Sequence, residues 1–543
     1  MNNKTQFLLS DDGKHLLEVR DKSIKQVVIP QGVIVISSYA FNKCSFLESV
    51  EIPNGIEIIG DKAFCGCTSL RYVLLPNTLK HIGLYAFYGC SSIESIILPD
   101  SLKRIDIGAF SGCSSLQNIN IPNGLTEISN STFAKCSSLL LVKLPVGIRR
   151  IGAHAFEGCN SLQSIDIPNS VTEIYNSVFK GCASLRYIDI PNTVIRIGDS
   201  AFCDCSSLES IDLPQGIIEI DDRAFFGCTS VVQFYLPNSV QKIGGYVFAS
   251  CSALKTIHVD ADNIYFSSID GVLFNKDISR LIKFPSSKNS HEYIIPNTIS
   301  SIEDRAFDCN KNLCSLTIPS GVKAIRCGTF MHCSSLSNIV IPKSVSRIEQ
   351  YAFYGCSSLE EIYIPDNVSI IKDYAFAGCS SLTCIDLPLK LMAISFHCFE
   401  NCTSLEYIEI PQKTNVYGNA FDGCLSLRSI NVTPGNYWVE SIDGVLFNKG
   451  ITSLKKFPEG KKVVDFYLPE TVNKIDCFAF KNCKSIEKLH VNVHDLGNFE
   501  IDIKSLENFD FESCTLYVPP GTRWNYRHHP IFGNFINIMI EFN

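Results

Sequence analysis

Phenylalanine recurs every 23 residues along this chain, at Phe41, Phe64, Phe87, Phe110, Phe133, Phe156, Phe179, Phe202, Phe225 and Phe248. A fixed period of this length overrides every local reading. Each unit must be one coil that cannot bury its apolar face alone and is stabilised by stacking on its neighbours. The series resumes at Phe307, Phe330, Phe353, Phe376, Phe399, Phe421 and Phe480, giving seventeen positions with one single-residue slip between Phe399 and Phe421. Proline precedes most of these Phe by eleven residues, as at Pro30, Pro53, Pro76 and Pro99, and cysteine follows by three, as at Cys44, Cys67, Cys90 and Cys113.

One unit reads LPNTLKHIGLYAFYGCSSIESII. After the cysteine, Leu47, Val50 and Ile52 are separated by two positions and then one, which is the strand of a leucine-rich repeat. Alternation then puts Val50 and Ile52 on one face and Ser49 and Glu51 on the other. Proline closes the strand because it has no N–H to give a ladder. The predicted fold is a β-rich leucine-rich-repeat solenoid of about seventeen coils, spaced by about 4.8 Å along the strand face.

Two segments break the period identically. Phe248 to Phe307 and Phe421 to Phe480 are both 59 residues, one coil plus 36. Both carry SIDGVLFNK, at Ser268–Lys276 and Ser441–Lys449, then Lys-Phe-Pro at Lys283–Pro285 and Lys456–Pro458. The array is therefore internally duplicated. Asp270-Gly271 and Asp443-Gly444 predict two-residue hairpin turns, so each insertion reads as a small β-meander attached to the side of the stack. Residues 5–29 echo half an insertion, with Asp12-Gly13 as a turn, and the stretch from Thr515 leaves the repeat and brings in Trp524; both ends read as caps over open sheet edges. The resulting division is an N-terminal cap (1–29), a first repeat block (30–251), an insertion (252–295), a second block (296–424), a second insertion (425–468), final repeats (469–513) and a C-terminal cap (514–543).

The pattern IP-x-x-V-x-x-IG-x-x-AF-x-x-C-x-x-L, with the DGVLFNK insertions and the tail Tyr517-Val518-Pro519-Pro520-Gly521-Thr522, resembles the BspA-like class of leucine-rich-repeat proteins over essentially the whole chain. That resemblance implies host-associated bacteria or mucosal protists, and, for surface members, adhesion and binding of matrix or plasma proteins.

Apolar residues make up 45% and charged residues 19%, which excludes a disordered chain. Lys and Arg number 47 against 55 Asp and Glu, a net charge of -8, so there is no basic field to collect nucleic acid. The opening MNNKTQFLLSDDGK has only Phe7–Leu9 as an apolar run, whereas a secretory signal needs about 7–15 apolar residues. As written the chain reads as cytoplasmic, the alternative being the cell surface or secretion by a non-classical route. Nowhere are there the roughly 18 consecutive apolar residues of a membrane span.

Of 25 cysteines, sixteen hold the ladder position: ten from Cys44 to Cys251, then Cys333, Cys356, Cys379, Cys402, Cys424 and Cys483. The reading is a small buried hydrophobe at the turn into each strand, not a disulfide, because strands about 4.8 Å apart exceed the ~3.8 Å Cβ separation of a relaxed bridge. Reduced thiols point to a reducing compartment. Cys65-x-Cys67 and Cys203-x-Cys205 are too close for a zinc pair, and His528 and His529 project apart, so no metal or cofactor is expected. No nucleophile elbow, H-E-x-x-H, phosphate-binding loop or dinucleotide fingerprint is present, and the many Cys-Ser-Ser-Leu serines read as backbone-bonding hydroxyls; the chain reads as no enzyme.

Information can be stored at the outward strand positions two and four residues before each proline. There Asp166, Asp189 and Asp212 stack on consecutive coils, edged by Tyr187 and Tyr235, and Tyr363, Tyr407 and Glu409 repeat the theme downstream. The column reads either as a solvated acidic strip or as a subsite for a basic protein patch, a sugar or a divalent cation, with the tyrosines as contact anchors. Two function classes follow: a monomeric, non-catalytic scaffold binding a protein or glycan partner, and a structural, self-assembling element.

Overall fold

The computed structural model describes residues 6–541; residues 1–5 of the expected N-terminal cap and 542–543 of the C-terminal cap lie outside the described residues. The chain divides between Lys276 and Asp277 into two compact units. Each is a β-solenoid with coils of 23 residues, and among the described residues the α-helix is confined to Arg523–His528.

In the first unit most coils contribute two short strands. One precedes the proline, as in Ser49–Glu51, Tyr72–Leu74, Ser95–Ile97, Asn118–Asn120 and Leu141–Lys143, pairing in parallel with residues one coil away, such as Asn118 with Ser95 and Leu141. Its middle residue points inward, and Val50, Val73, Ile96, Ile119 and Val142 are buried. The other is the Ile-Ile or Arg-Ile pair of Ile58–Ile59, His81–Ile82 and Arg104–Ile105, likewise parallel and in register. Between them the chain turns through two left-handed residues per coil, for example Tyr85 (φ 53°) and Gly89 (φ 70°). That requirement explains the Gly-Cys dipeptide, since left-handed backbone costs glycine nothing. The Ile-Gly glycine has another cause: a Cβ on Gly83 would lie 2.6 Å from Asp61 Oδ1, the carboxylate oxygen that accepts from Leu84 N at 2.9 Å.

The ladder phenylalanines form a continuous stack inside. Ring centroids from Phe41 to Phe225 are 4.8–5.9 Å apart and the rings nearly parallel. Every ring is fully buried, each worth about 1.5–3 kcal/mol in apolar burial. The cysteines are buried as expected, but they also bond: Cys67 Sγ donates to Phe41 O at 3.1 Å, and the same link from each thiol to the Phe carbonyl of the preceding coil recurs to Cys251. The turn serines likewise bond backbone, reaching across to the neighbouring coil, as with Ser114 Oγ donating to Ser91 O.

The second unit repeats this architecture, with strands Ser315–Thr317 and Asn338–Val340 in register and Phe330 to Phe421 stacked, Phe307 lying tilted by 31° on Phe330. Where the ladder lacks its cysteine, Asn310 stands fully buried; its Nδ2 donates to Pro285 O at 3.1 Å while its Oδ1 accepts from the Asn312 and Leu313 amides. It bridges to the preceding coil as the thiols do, but at the carbonyl one residue beyond the ladder Phe284.

Each insertion begins with an antiparallel hairpin, Phe266–Ile269 with Val272–Asn275 and Val439–Ile442 with Val445–Asn448, turning at the expected Asp-Gly pairs. The expectation of a meander wholly outside the stack needs correction. The third strands, Arg280–Lys283 and Ser453–Lys456, pair in parallel with Ser301–Ile302 and Lys474–Ile475 of the next coil. Phe284 and Phe457 occupy ladder positions, 4.9 Å from Phe307 and 5.7 Å from Phe480. Both lie 23 residues before the next ladder Phe, a beat hidden because Pro follows Phe here directly.

At the N-terminal end, Phe7–Leu9 and His15–Val19 form an antiparallel pair on the edge of the Val35–Ile36 strand. At the other, Thr515–Val518 and Asn537–Ile540 extend the strand face, and Tyr526, Phe532, Phe535 and Ile538 pack onto Leu489 and Val491 of the last coil. Tyr526 Oη donates to Val493 O at 2.9 Å, anchoring the helix.

Candidate binding face

The outward columns arise from strand alternation, which turns every second side chain to solvent. In the first unit Asp166, Asp189 and Asp212 are exposed, and Asp189 is bridged in parallel to both others. They therefore stack one coil apart, as their spacing predicted. The regular strand ladder thins to single bridges here, and like charges directly opposite one another are unfavourable. Lys143 precedes the column and Tyr235 follows it at the same repeat position.

Compensation of charge on the other sheet gives this column its significance. At one position of successive coils the residues run Arg104, Glu127, Arg150, Glu173, Arg196, Glu219 and Lys242. The paired neighbours Glu127 and Arg150, Glu173 and Arg196, and Arg196 and Glu219 alternate in sign, with ion pairs of 3.5 Å for Arg150–Glu127 and Arg196–Glu219. No ion pair to Asp166, Asp189 or Asp212 occurs among the described residues. Each pair of adjacent carboxylates repels by about 1 kcal/mol at most in water.

The tyrosines are tied to acids the sequence reading passed over. Tyr187 Oη donates to Glu209 Oε2 at 2.6 Å, and Tyr235 Oη donates to Asp260 Oδ2 at 2.9 Å. These bonds raise the pKa of both hydroxyls. The Asp260 carboxyl is lowered by the Asp262 amide and by Tyr235. Both rings stay exposed. Toward the N-terminal end the same columns become apolar: Tyr72, Leu74 and Ile97 are 72%, 68% and 75% exposed.

In the second unit Tyr363 is bridged to Asp386, and Asp386 precedes Glu409 in the same column; Tyr407 lies in the other outward column, opposite Ser429. Glu409 Oε1 accepts from Thr433 Oγ1 at 3.2 Å. Asp386 is the residue the sequence reading missed, although the 23-residue step from Tyr363 identifies it. It sits at the repeat position that Asp212 holds before the first insertion, so the duplication kept an acid at this place twice.

Two buried charge clusters were also missed. Lys283 Nζ bonds Asp308 Oδ1 and, at 3.2 Å, Arg305 O. Its counterpart Lys456 donates to Phe478 O at 3.2 Å, the carbonyl equivalent to that of Arg305, but its carboxylates are different: Asp422 at 3.0 Å and Glu459 at 2.9 Å. At the position of Asp308 the second copy has Lys481, paired to Glu507 at 3.1 Å, and where the second copy has Asp422 and Glu459 the first has Ala249 and Ser286. Among the described residues no group of three or more His, Cys, Asp or Glu is placed to hold a metal ion.

The family model described as a BspA type leucine rich repeat region, in six copies, matches residues 20–140, 126–255, 282–369, 323–455 and 453–519. No curated protein matches the chain. Among solved structures, a leucine-rich repeat protein from Bacteroides ovatus ATCC 8483 is 26% identical, covering 80% of this chain and 97% of that one, with a TM-score of 0.44. A leucine rich cell surface protein from Faecalibacterium prausnitzii A2-165 is 27% identical, covering 79% and 92%, with a TM-score of 0.37.

Proposed function

This chain belongs to the BspA-type leucine-rich-repeat family, a class of interaction scaffolds, and from that premise we propose that it is a non-catalytic, monomeric scaffold whose outward strand columns recognise a basic polypeptide. The observation that carries the reading is the uncompensated column Asp166, Asp189 and Asp212 in a unit whose other sheet alternates its charges coil by coil from Arg104 to Glu219. Tyr187 and Tyr235 flank it as aromatic anchors, and the exposed Leu74 and Ile97 extend it with apolar contact area. Tyr363, Asp386, Tyr407 and Glu409 form the corresponding candidate face of the second unit. The thiol-rich core suits a reducing compartment, which cell fractionation tests.

The direct test presents labelled protein to immobilised basic, acidic and neutral peptides and to glycans. Binding to basic peptides, weakened by salt and lost in the Asp166→Asn/Asp189→Asn/Asp212→Asn variant, supports the reading. Undiminished binding by that variant, or binding to glycans alone, refutes it. Its stability should stay within about 0.5 kcal/mol of the parent, since exposed positions carry little folding energy. A second reading, self-assembly, draws on the exposed Ile264 and Tyr265 and their equivalents Tyr437 and Trp438 on the two insertions. A mass that rises with concentration would favour it.

A further inference from the structure

We propose that Cys314 and His291 form a thiol-modification site that takes a low-molecular-weight disulfide. The two residues are 23 apart and so occupy one outward position of neighbouring coils, at the entry to the face strands. Cys314 N donates to His291 O at 2.7 Å, which fixes the register, and the side chains then meet with Cys314 Sγ 3.7 Å from His291 Nδ1. At most other coils this position holds a long polar or charged side chain, such as Glu48, Arg71 and Glu94. A thiol beside an imidazole is a nucleophile beside its base.

The contrast with the other thiols is chemical. Ladder thiols are buried, and burial raises the pKa of Cys136 and Cys379 to about 12. Cys314 shares with them a carbonyl acceptor, Asn312 O at 3.4 Å, but it also meets an imidazole at a position solvent reaches. Cys477 is partly exposed but faces Asp502 Oδ1 at 3.7 Å, where a second negative charge is disfavoured, and burial holds Cys65 up. Cys314 is partly exposed, and His291 is exposed, so reagent reaches both.

With its own proton on Nε2, the His291 ring accepts the Cys314 thiol proton at Nδ1. The thiolate attacks one sulfur of the disulfide, forming a bond to Sγ as the reagent's S–S bond breaks. The departing thiolate keeps that electron pair and takes the proton back from the imidazolium, leaving a mixed disulfide and one free thiol.

The test uses the full chain with less than one equivalent of glutathione disulfide, and locates the adduct by peptide mass mapping. Cys314 should be modified first. His291→Ala should slow modification of Cys314 by about tenfold, as expected when a positioned base is removed, with added free imidazole restoring part of the rate. Cys314→Ser should leave the remaining thiols reacting at their parent rates. The proposal is overturned if the adduct appears first on Cys309, Cys327 or Cys384, or if His291→Ala leaves the Cys314 rate unchanged. It is equally overturned if the slowed rate does not respond to imidazole while the fold, followed by circular dichroism, is intact.

Discussion

Replacing Lys456 by methionine tests how the second insertion is fastened into the stack. The side chains of Lys456, Asp422 and Glu459 are 6%, 5% and 0% exposed, so the substitution leaves two buried carboxylates without their cation. Breaking a buried ion pair from one side costs about 3–5 kcal/mol. Glu459 keeps the Gly423 amide at 3.0 Å and the Asn482 side chain at 2.8 Å, which argues for the lower half of that range. In the parent, burial works to lower the Lys456 pKa, but Asp422 and Glu459 outweigh it and hold it above the ordinary value. Its contribution is therefore complete below the unfolded value of about 10.4 and is lost only as pH rises through the folded one. The variant behaves oppositely. Two buried carboxylates without their cation cost most when ionised, so the deficit relative to the parent should shrink as pH is lowered. Urea unfolding gives the deficit, and hydrogen exchange in Ser453–Lys456 reports whether the loss is local. A parent-like variant, or a deficit independent of pH, would refute the reasoning. Asp422→Ala/Glu459→Ser/Lys481→Asp rebuilds the first copy's arrangement around Lys456 and should recover most of the stability that Asp422→Ala/Glu459→Ser alone loses.

The native protein should present about six accessible cysteines to excess thiol reagent, Cys65, Cys309, Cys314, Cys327, Cys384 and Cys477, and the rest of its 25 only after denaturation; extensive further native labelling would contradict the buried ladder. Lys135→Gly, at φ 61°, should stabilise by about 0.5–1 kcal/mol, whereas Gly89→Ala, at φ 70° with open space around its Cβ, should cost about 1 kcal/mol from backbone strain alone; thermal melts read both. Truncation after Cys514 uncovers Leu489 and Val491 and should produce a soluble aggregate by light scattering, so a monodisperse truncated chain would show that the tail is no cap. Excising Asn263–Pro285 should be just as disruptive, because it removes Phe284 from the ring stack and Asn263, whose Nδ2 donates to Pro237 O and Val240 O.

The period alone determined most of this molecule. A Phe, a Cys and a Pro at constant offsets leave one way to bury every ring, so coil length, strand position and inward and outward faces are all legible in sequence, and the Asp-Gly pairs mark the hairpin turns. The candidate face was legible for the same reason: residues 23 apart are neighbours, and Asp166, Asp189 and Asp212 could be stacked on paper, as Asp386 could have been. Tertiary structure decided what depends on side-chain reach. Lys283 and Lys456 sit in identical Lys-Phe-Pro motifs, yet one is neutralised by the following coil and the other by the preceding coil and its own turn. The exchange of acids between the copies is written in the sequence, but that Asp308, or Asp422 and Glu459, converge on the buried lysine is decided by the fold. Likewise Asn310 replaces a thiol because its amide meets the same inter-coil gap, and Cys314 differs from the ladder cysteines because its side chain leaves the coil toward His291. A repeat specifies where each backbone position falls; which polar groups meet across the gap between coils depends on the length and direction of each side chain, and those are set only when the coils close on one another.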